Sequence, residues 1–131
     1  MMVGLLVMNE GKLLLVSIDK EEGDEKTYSL PMGKVKEGED LKSAAMRQLY
    51  EEIGLVTTAD DLDEVSKGIE IIVNGEKINL TVYKCKRFEG FLFLFGEETT
   101  PEWIDVTRVG DLKLLPNVDN IIKEFLDTAN I

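Results

Sequence analysis

The sequence predicts an α/β fold, a mixed β-sheet covered by helices on both faces. Strand-like runs outnumber helical ones and come in hairpin-like pairs around turn residues. Only two stretches, 40–53 and 117–126, carry apolar residues at helical spacing. Those helices are interspersed among the strands rather than segregated, which favours sheet-plus-helix layers over a bundle or a sandwich of strands.

The elements follow in order along the chain. Residues 3–8 and 13–18 are β-rich and flank Asn9-Glu10-Gly11-Lys12, a hairpin turn. A charged loop, 19–26, leads to a short strand at 27–30, which Pro31 ends. Residues 40–53 form a helix that Asp40 caps and Gly54 terminates as its C′ residue. A second hairpin, 68–73 and 77–86, turns at Asn74-Gly75. Ile78, Leu80 and Val82 alternate there with Asn79, Thr81 and Tyr83, as one buried face requires. Residues 91–95 cross to an acidic loop at Glu97-Glu98, and 103–106 form another short strand. Residues 117–126 make an amphipathic helix with Ile121, Ile122 and Phe125 turned inward.

At 131 residues the chain suits one compact domain, 1–131. Fifteen basic residues against twenty-six acidic ones give a formal charge of −11. Backbone binding to a nucleic-acid polymer rests on Lys and Arg, so that class of partner is disfavoured. A small phosphate ligand remains open if a cation bridges it to the protein. The lone Cys85 allows no intramolecular disulfide, fits a strand position and points to a cytoplasmic location. With no histidine, imidazole chemistry is excluded. The apolar start, 1–8, is too short for a membrane span and reads as a strand.

The chemistry concentrates in the first helix. At about 100° per residue, Gln48 and Glu52 fall within about 20° of Leu41 and Glu51 lies about 80° away. All three therefore share a stripe bordering the buried face of Leu41, Ala45, Met46, Leu49 and Ile53, with small Ala44 in its middle. Arg47 stands one turn before Glu51 and can orient its carboxylate. Two carboxylates bordering the core repel each other unless a cation joins them, and hard oxygen donors suit Mg²⁺ or Mn²⁺. An exposed, salt-bridged helix face is the alternative for an arbitrary Glu-Glu pair.

Gly33, Glu39, Arg47, Leu49, Glu51, Glu52, Gly54 and Leu55 lie at the spacing of the Nudix signature, Gly-x5-Glu-x7-Arg-Glu-hydrophobic-x-Glu-Glu-x-Gly-hydrophobic, which the stretch resembles. The lead-in Tyr28-Ser29-Leu30-Pro31-Met32-Gly33 is similar to the family's aromatic-x-x-Pro-Gly-Gly, with Met32 replacing a glycine. The resemblance covers essentially the whole chain. It implies an α/β/α sandwich around a mixed sheet and Mg²⁺-dependent hydrolysis of a nucleoside diphosphate linked to another group. It implies metal coordination by Glu51 and Glu52, with Gln48, Glu98 and Gly33 as further members of the set, and Arg47 orienting Glu51. Glu39 and the 33–38 backbone would shape the loop and contribute hydrogen bonds beside the substrate. Lys34 is either a phosphate contact or a solvated lysine.

Gln48 departs from the pattern, standing where the family has a glutamate that in some members ligates metal and serves as base. An amide oxygen accepts a hydrogen bond but takes no proton at neutral pH. Glu98, or Glu97, is the candidate replacement, with plain loop solvation as the alternative. The hairpin end Val16-Ser17-Ile18 also lacks an arginine that many relatives carry. Markers of the ADP-ribose, dinucleoside polyphosphate and coenzyme A subgroups are missing at 70–72, which leaves a MutT-like action on nucleoside triphosphates, oxidised ones included. Asn117 either reads a base edge or caps the last helix. Two functions therefore stand: a pyrophosphohydrolase, or a Nudix-fold nucleotide-binding or regulatory module with little turnover. Phe91, Phe93 and Phe95 alternate, suiting core packing or a subunit contact, so the chain is expected as a monomer or homodimer.

Overall fold

The computed structural model describes residues 1–18, 26–73, 75–92 and 99–129. Strands β1 (Met2–Asn9) and β2 (Lys12–Ile18) form the first hairpin. Its two-residue turn, Glu10 and Gly11, has φ of 50° and 78°, the double positive φ that matches strand twist. The two strands pair only at Met8–Leu13 and Asn9–Lys12, then part. The wedge between them is filled by β3 (Thr27–Ser29), which pairs with β2, and β4 (Met32–Lys34), which pairs with β1. Between these strands, the Leu5 N–H donates to the Pro31 carbonyl at 3.0 Å. This wedge sets the glycine loop against the first helix.

On its other edge β1 runs parallel to β7 (Glu76–Cys85), which pairs antiparallel with β6 (Leu62–Val73). The free edge of β2 takes β9 (Thr99–Asp105). A short ribbon joins β5 (Leu55–Val56) to β8 (Glu89–Gly90). The sheet is therefore mixed, as the sequence predicts.

Alternation along β1 makes two cores. Val3, Leu5 and Val7 pack with Leu14, Tyr83 and Cys85 beneath the first helix, α1 (Leu41–Gln48). Leu6 packs with Leu15, Leu80, Val82 and Ile104 beneath α2 (Val118–Ala129), which contributes Val118, Ile121, Ile122 and Phe125. Trp103 stacks on Phe88 with ring centroids 5.6 Å apart. Cys85 is buried, and burial pushes its thiol pKa up.

Four expectations need correction. The helix expected over 40–53 is α-helical only to Gln48. Leu49–Ile53 is a π turn, in which the Gly54 N–H is shared between the carbonyls of Leu49 (3.0 Å) and Tyr50 (3.1 Å). β6 begins at Leu62 rather than near Gly68, carrying bulges at Glu64–Ser66 and Ser66–Ile69 that blur its alternation. The strand expected at 103–106 spans Thr99–Asp105. Phe91 is 83% exposed, so core packing does not hold for it; Phe93 and Phe95 lie outside the described residues.

Candidate active site

Asp40 starts α1 as expected, its side chain accepting from the Ser43 amide at 2.8 Å. Gly54 ends the π turn at φ 95°, a left-handed conformation that favours glycine. Between these ends Arg47 makes the densest set of polar contacts in the region. Its Nε and Nη2 donate to the two carboxylate oxygens of Glu39 at 2.9 and 3.0 Å, and Nη2 also donates to the Lys34 carbonyl at 2.8 Å. The Lys36 amide donates to the same Glu39 at 3.1 Å. The guanidinium and then the amide pull the Glu39 pKa down from 4.5 to about 2. Glu39, expected beside the substrate, thus has both oxygens engaged in fastening the 33–39 loop to the helix.

Arg47 reaches Glu51 only weakly, at 3.4 Å, and the Glu51 side chain stays 52% exposed. Glu52 and Gln48 both line a cleft of about 350 Å³, facing Gly33, Lys34, Pro31 and Val16. Gln48 is 9% exposed and its side chain lies on the α-carbon of Gly33, where any β-carbon would overlap the carboxamide. Glycine at 33 is therefore required by close approach.

The sequence reading did not anticipate Met2, Val16, Met32 and Ile53 in this cleft. Apolar residues carry no chemical signal, and only the wedge geometry brings them there. Asn117 lies elsewhere. At φ 73°, it donates its side-chain N–H to the Glu70 carbonyl of β6 at 2.7 Å. The first amides of α2 are met instead by the Leu115 carbonyl, at 3.1 and 3.2 Å, so the backbone satisfies them. Glu97 and Glu98 lie outside the described residues. Glu102, on β9, has one buried carboxylate oxygen with no hydrogen-bond partner. Its register partner is Leu15, which packs on the α2 side, so Glu102 faces away from the cleft residue Val16.

The donor set can be tested against Mg²⁺ on chemistry alone. Among the described residues no three His, Cys, Asp or Glu side chains gather as a closed metal site. Mg²⁺ needs no such cage, since it keeps waters and takes one or two carboxylates plus substrate phosphates. Glu52, the Gln48 amide oxygen and nearby Glu51 offer hard oxygens of that kind, so the residues fit.

The NUDIX domain model matches residues 1–128. An RNA pyrophosphohydrolase of Brucella abortus is 36% identical over 107 residues, covering 74% of this chain and 60% of that protein. An oxidized purine nucleoside triphosphate hydrolase of Danio rerio is 30% identical over 106 residues, covering 80% of this chain and 65% of that protein. The chain thus spans about 60% of the length of the first curated relatives it matches. The MutT NUDIX hydrolase from Burkholderia pseudomallei shares the fold at a TM-score of 0.75 and 20% identity, over 93% of this chain and 94% of that one.

Proposed function

The chain belongs to the NUDIX family, and we propose that it is a divalent-metal-dependent pyrophosphohydrolase that converts nucleoside triphosphates, oxidised ones included, to monophosphate and pyrophosphate. The observation that carries this reading is the convergence of Glu52, Gln48, Lys34 and Gly33 on one cleft. Mg²⁺ or Mn²⁺, when bound, neutralises the diphosphate and makes a bound water easier to deprotonate. Glu52 and Glu51 supply the carboxylates that hold it, and Gln48 and the Gly33 backbone supply neutral oxygens. Lys34 meets a phosphate. Arg47, locked to Glu39 and the Lys34 carbonyl, holds the loop that carries Gly33 and Lys34 at a fixed distance from the helix.

Water adds to phosphorus, the bridging P–O bond breaks, pyrophosphate leaves, and one water proton must be taken up. Gln48 cannot take it. We assign that task to Glu98, with Glu97 as the neighbouring alternative. Thr99, the next residue, pairs with Ile18 at the end of β2 that carries the cleft residue Val16.

The names of the curated relatives offer two substrates, RNA and a free oxidised purine nucleoside triphosphate. Lys34 is the one cation among the described residues lining the cleft, and the chain carries −11 overall, so the free nucleotide is favoured. The test is release of monophosphate and pyrophosphate from a triphosphate panel, the 8-oxo forms and a 5′-triphosphorylated oligoribonucleotide, with Mg²⁺ or Mn²⁺. Turnover abolished in Glu52→Gln and in Glu98→Gln is the expected result. Silence in wild type with strong gain in Gln48→Glu would overturn the enzymatic reading and leave a nucleotide-binding module. The gain available to a restored base is about 10²- to 10⁴-fold.

A further inference from the structure

β1 lies between β4 and β7 in the sheet, and β7 runs past its start. The two are parallel with Met2 opposite Leu80, so residues 76–78 have β6 on one side and, among the described residues, no strand on the other. On the opposite wall Lys34 pairs with Met2, and the Val35 N–H donates to the Met1 carbonyl at 3.1 Å. These are the walls that hold β1 itself one residue further in, two strand spacings or about 9–10 Å apart. The notch between them, of about 430 Å³, therefore has the width of a single strand.

We propose that this notch is a docking slot for an extended segment of a partner protein, alternating apolar and acidic residues, which completes the sheet in line with β1. The backbone groups call for a strand rather than a compact ligand. Val73 and Glu76 close the β6–β7 hairpin as a hydrogen-bonded pair, as a two-residue connection does, so Glu76 and Ile78 bond to β6. By the same alternation Lys77 turns its N–H and C=O towards the notch, where among the described residues no strand meets them. Strand addition to such an edge satisfies the backbone and takes its specificity from alternate side chains.

The side chains say which strand fits. Met2 and Ile78 pack in the core beneath α2, and Lys34, opposite Met2, shares their face. A residue seated beside Ile78 therefore meets apolar surface. Lys77 alternates to the other face, where its contact with Glu70 is a loose 3.8 Å. The next residue of the docked strand lies beside Lys77, and a carboxylate there gains a cross-strand ion pair. Glu76 returns to the Ile78 face one position further out and leaves the Lys77 position positive. A second copy is the poorer occupant. Two β7 edges paired through their free backbone would set Lys77 against Lys77, and like charges directly opposite are destabilising. Lysine on an open edge discourages indiscriminate pairing, and an acidic strand is the kind it still admits.

The experiment titrates the ¹⁵N-labelled protein with the end-blocked peptide Val-Glu-Val-Glu-Val, its Val-Lys-Val-Lys-Val counterpart, and the acidic peptide N-methylated at every residue. Saturable shifts at the Lys77 and Val35 amides, with slowed hydrogen exchange at Lys77, are expected for the unmethylated acidic peptide alone. Lys77→Glu should weaken that peptide about 5-fold and let the basic one bind. Lys77→Met keeps the apolar stem, so it should fold as wild type does and lose the preference for acid. No shift at Lys77 with the acidic peptide, equal binding of the basic or N-methylated peptide, or an unchanged Kd in both variants would overturn the proposal. Self-association that protects the Lys77 amide without peptide would assign the slot to a second copy and overturn it as well.

Discussion

Gly33→Ala tests the fit between loop and helix on which the site depends. A β-carbon at this position would overlap the Gln48 carboxamide and stand 2.8 Å from its Cγ. Gly33 is not among the glycines with positive φ, so its backbone admits alanine and the penalty is steric. Because Cγ is in the way as well as the amide tip, Gln48 must change rotamer or β4 must shift. Gln48 is 9% exposed, which leaves it little room. Overpacking of this kind costs about 1–3 kcal/mol. For a domain of this size that is a fall in Tm of roughly 5–10 °C. A displacement of the carboxamide on the order of 1 Å is enough to lower kcat by about 100-fold.

The cause is isolated by a double-mutant cycle. Gln48→Ala removes the atoms that the new methyl meets, so Gly33→Ala should cost much less in that background, with a coupling of about 1 kcal/mol or more. Denaturant midpoints of the four proteins, at unchanged m-value, measure it. A Gly33→Ala protein as stable as wild type, or one whose loss is equally large in the Gln48→Ala background, refutes the steric argument.

Further outcomes follow from the same geometry. Arg47 and the Lys36 amide hold Glu39 at about 2 against an ordinary value of 4.5. A depressed carboxylate contributes its stability above the unfolded pKa and loses it as pH falls through the folded one. The stability difference between wild type and Glu39→Gln should therefore be constant above pH 4.5, shrink from 4.5 to about 2 and vanish below; a flat difference across that window contradicts it. Glu102→Leu removes a buried carboxylate oxygen without a partner and should stabilise by about 1 kcal/mol in urea unfolding, with turnover unchanged. Ile122→Ala, at a position 1% exposed on the buried face of α2, should cost about 2–5 kcal/mol while leaving KM at its wild-type value.

The fold was legible wherever a local signal and a burial pattern agreed. Asn9 to Lys12 marked a hairpin, Asp40 and Gly54 bounded a helix, and Ile121, Ile122 and Phe125 gave the buried face of α2. The misses are residues whose structure is set by distant neighbours. β4 is three residues of no clear period, Met-Gly-Lys, and exists because β1 and β2 part. The bulges in β6 broke the alternation that would have shown its first half. In the site, residue spacing exposed Gln48, Glu51 and Glu52 as one helical stripe, with Arg47 a turn before Glu51. Spacing alone left open that Arg47 favours Glu39 over Glu51, because the loop's path around the helix is a tertiary fact. Asn117 misled for a similar reason: a Pro-Asn before a helix reads as a cap, and the nearby β6 carbonyl took its amide instead.

The two adjacent glutamates face different neighbours. In a continued α-helix Gln48 would be followed four residues on by Glu52 on the same face, with Glu51 one turn after Arg47. The Leu49–Ile53 π turn keeps that arrangement, and such turns are frequent at functional sites. Here Glu52 stands at the cleft with Gln48, as the α-helical register places it, while Glu51 makes a long contact to Arg47; both glutamates are exposed. A third carboxylate at position 48 would sit buried against Gly33 and beside Glu52, where like charges repel in the absence of a cation. The neutral amide removes that repulsion and at the same time weakens cation affinity and proton uptake. Under the proposed reading, Gln48 makes the empty site easier to fold and leaves proton uptake to another carboxylate.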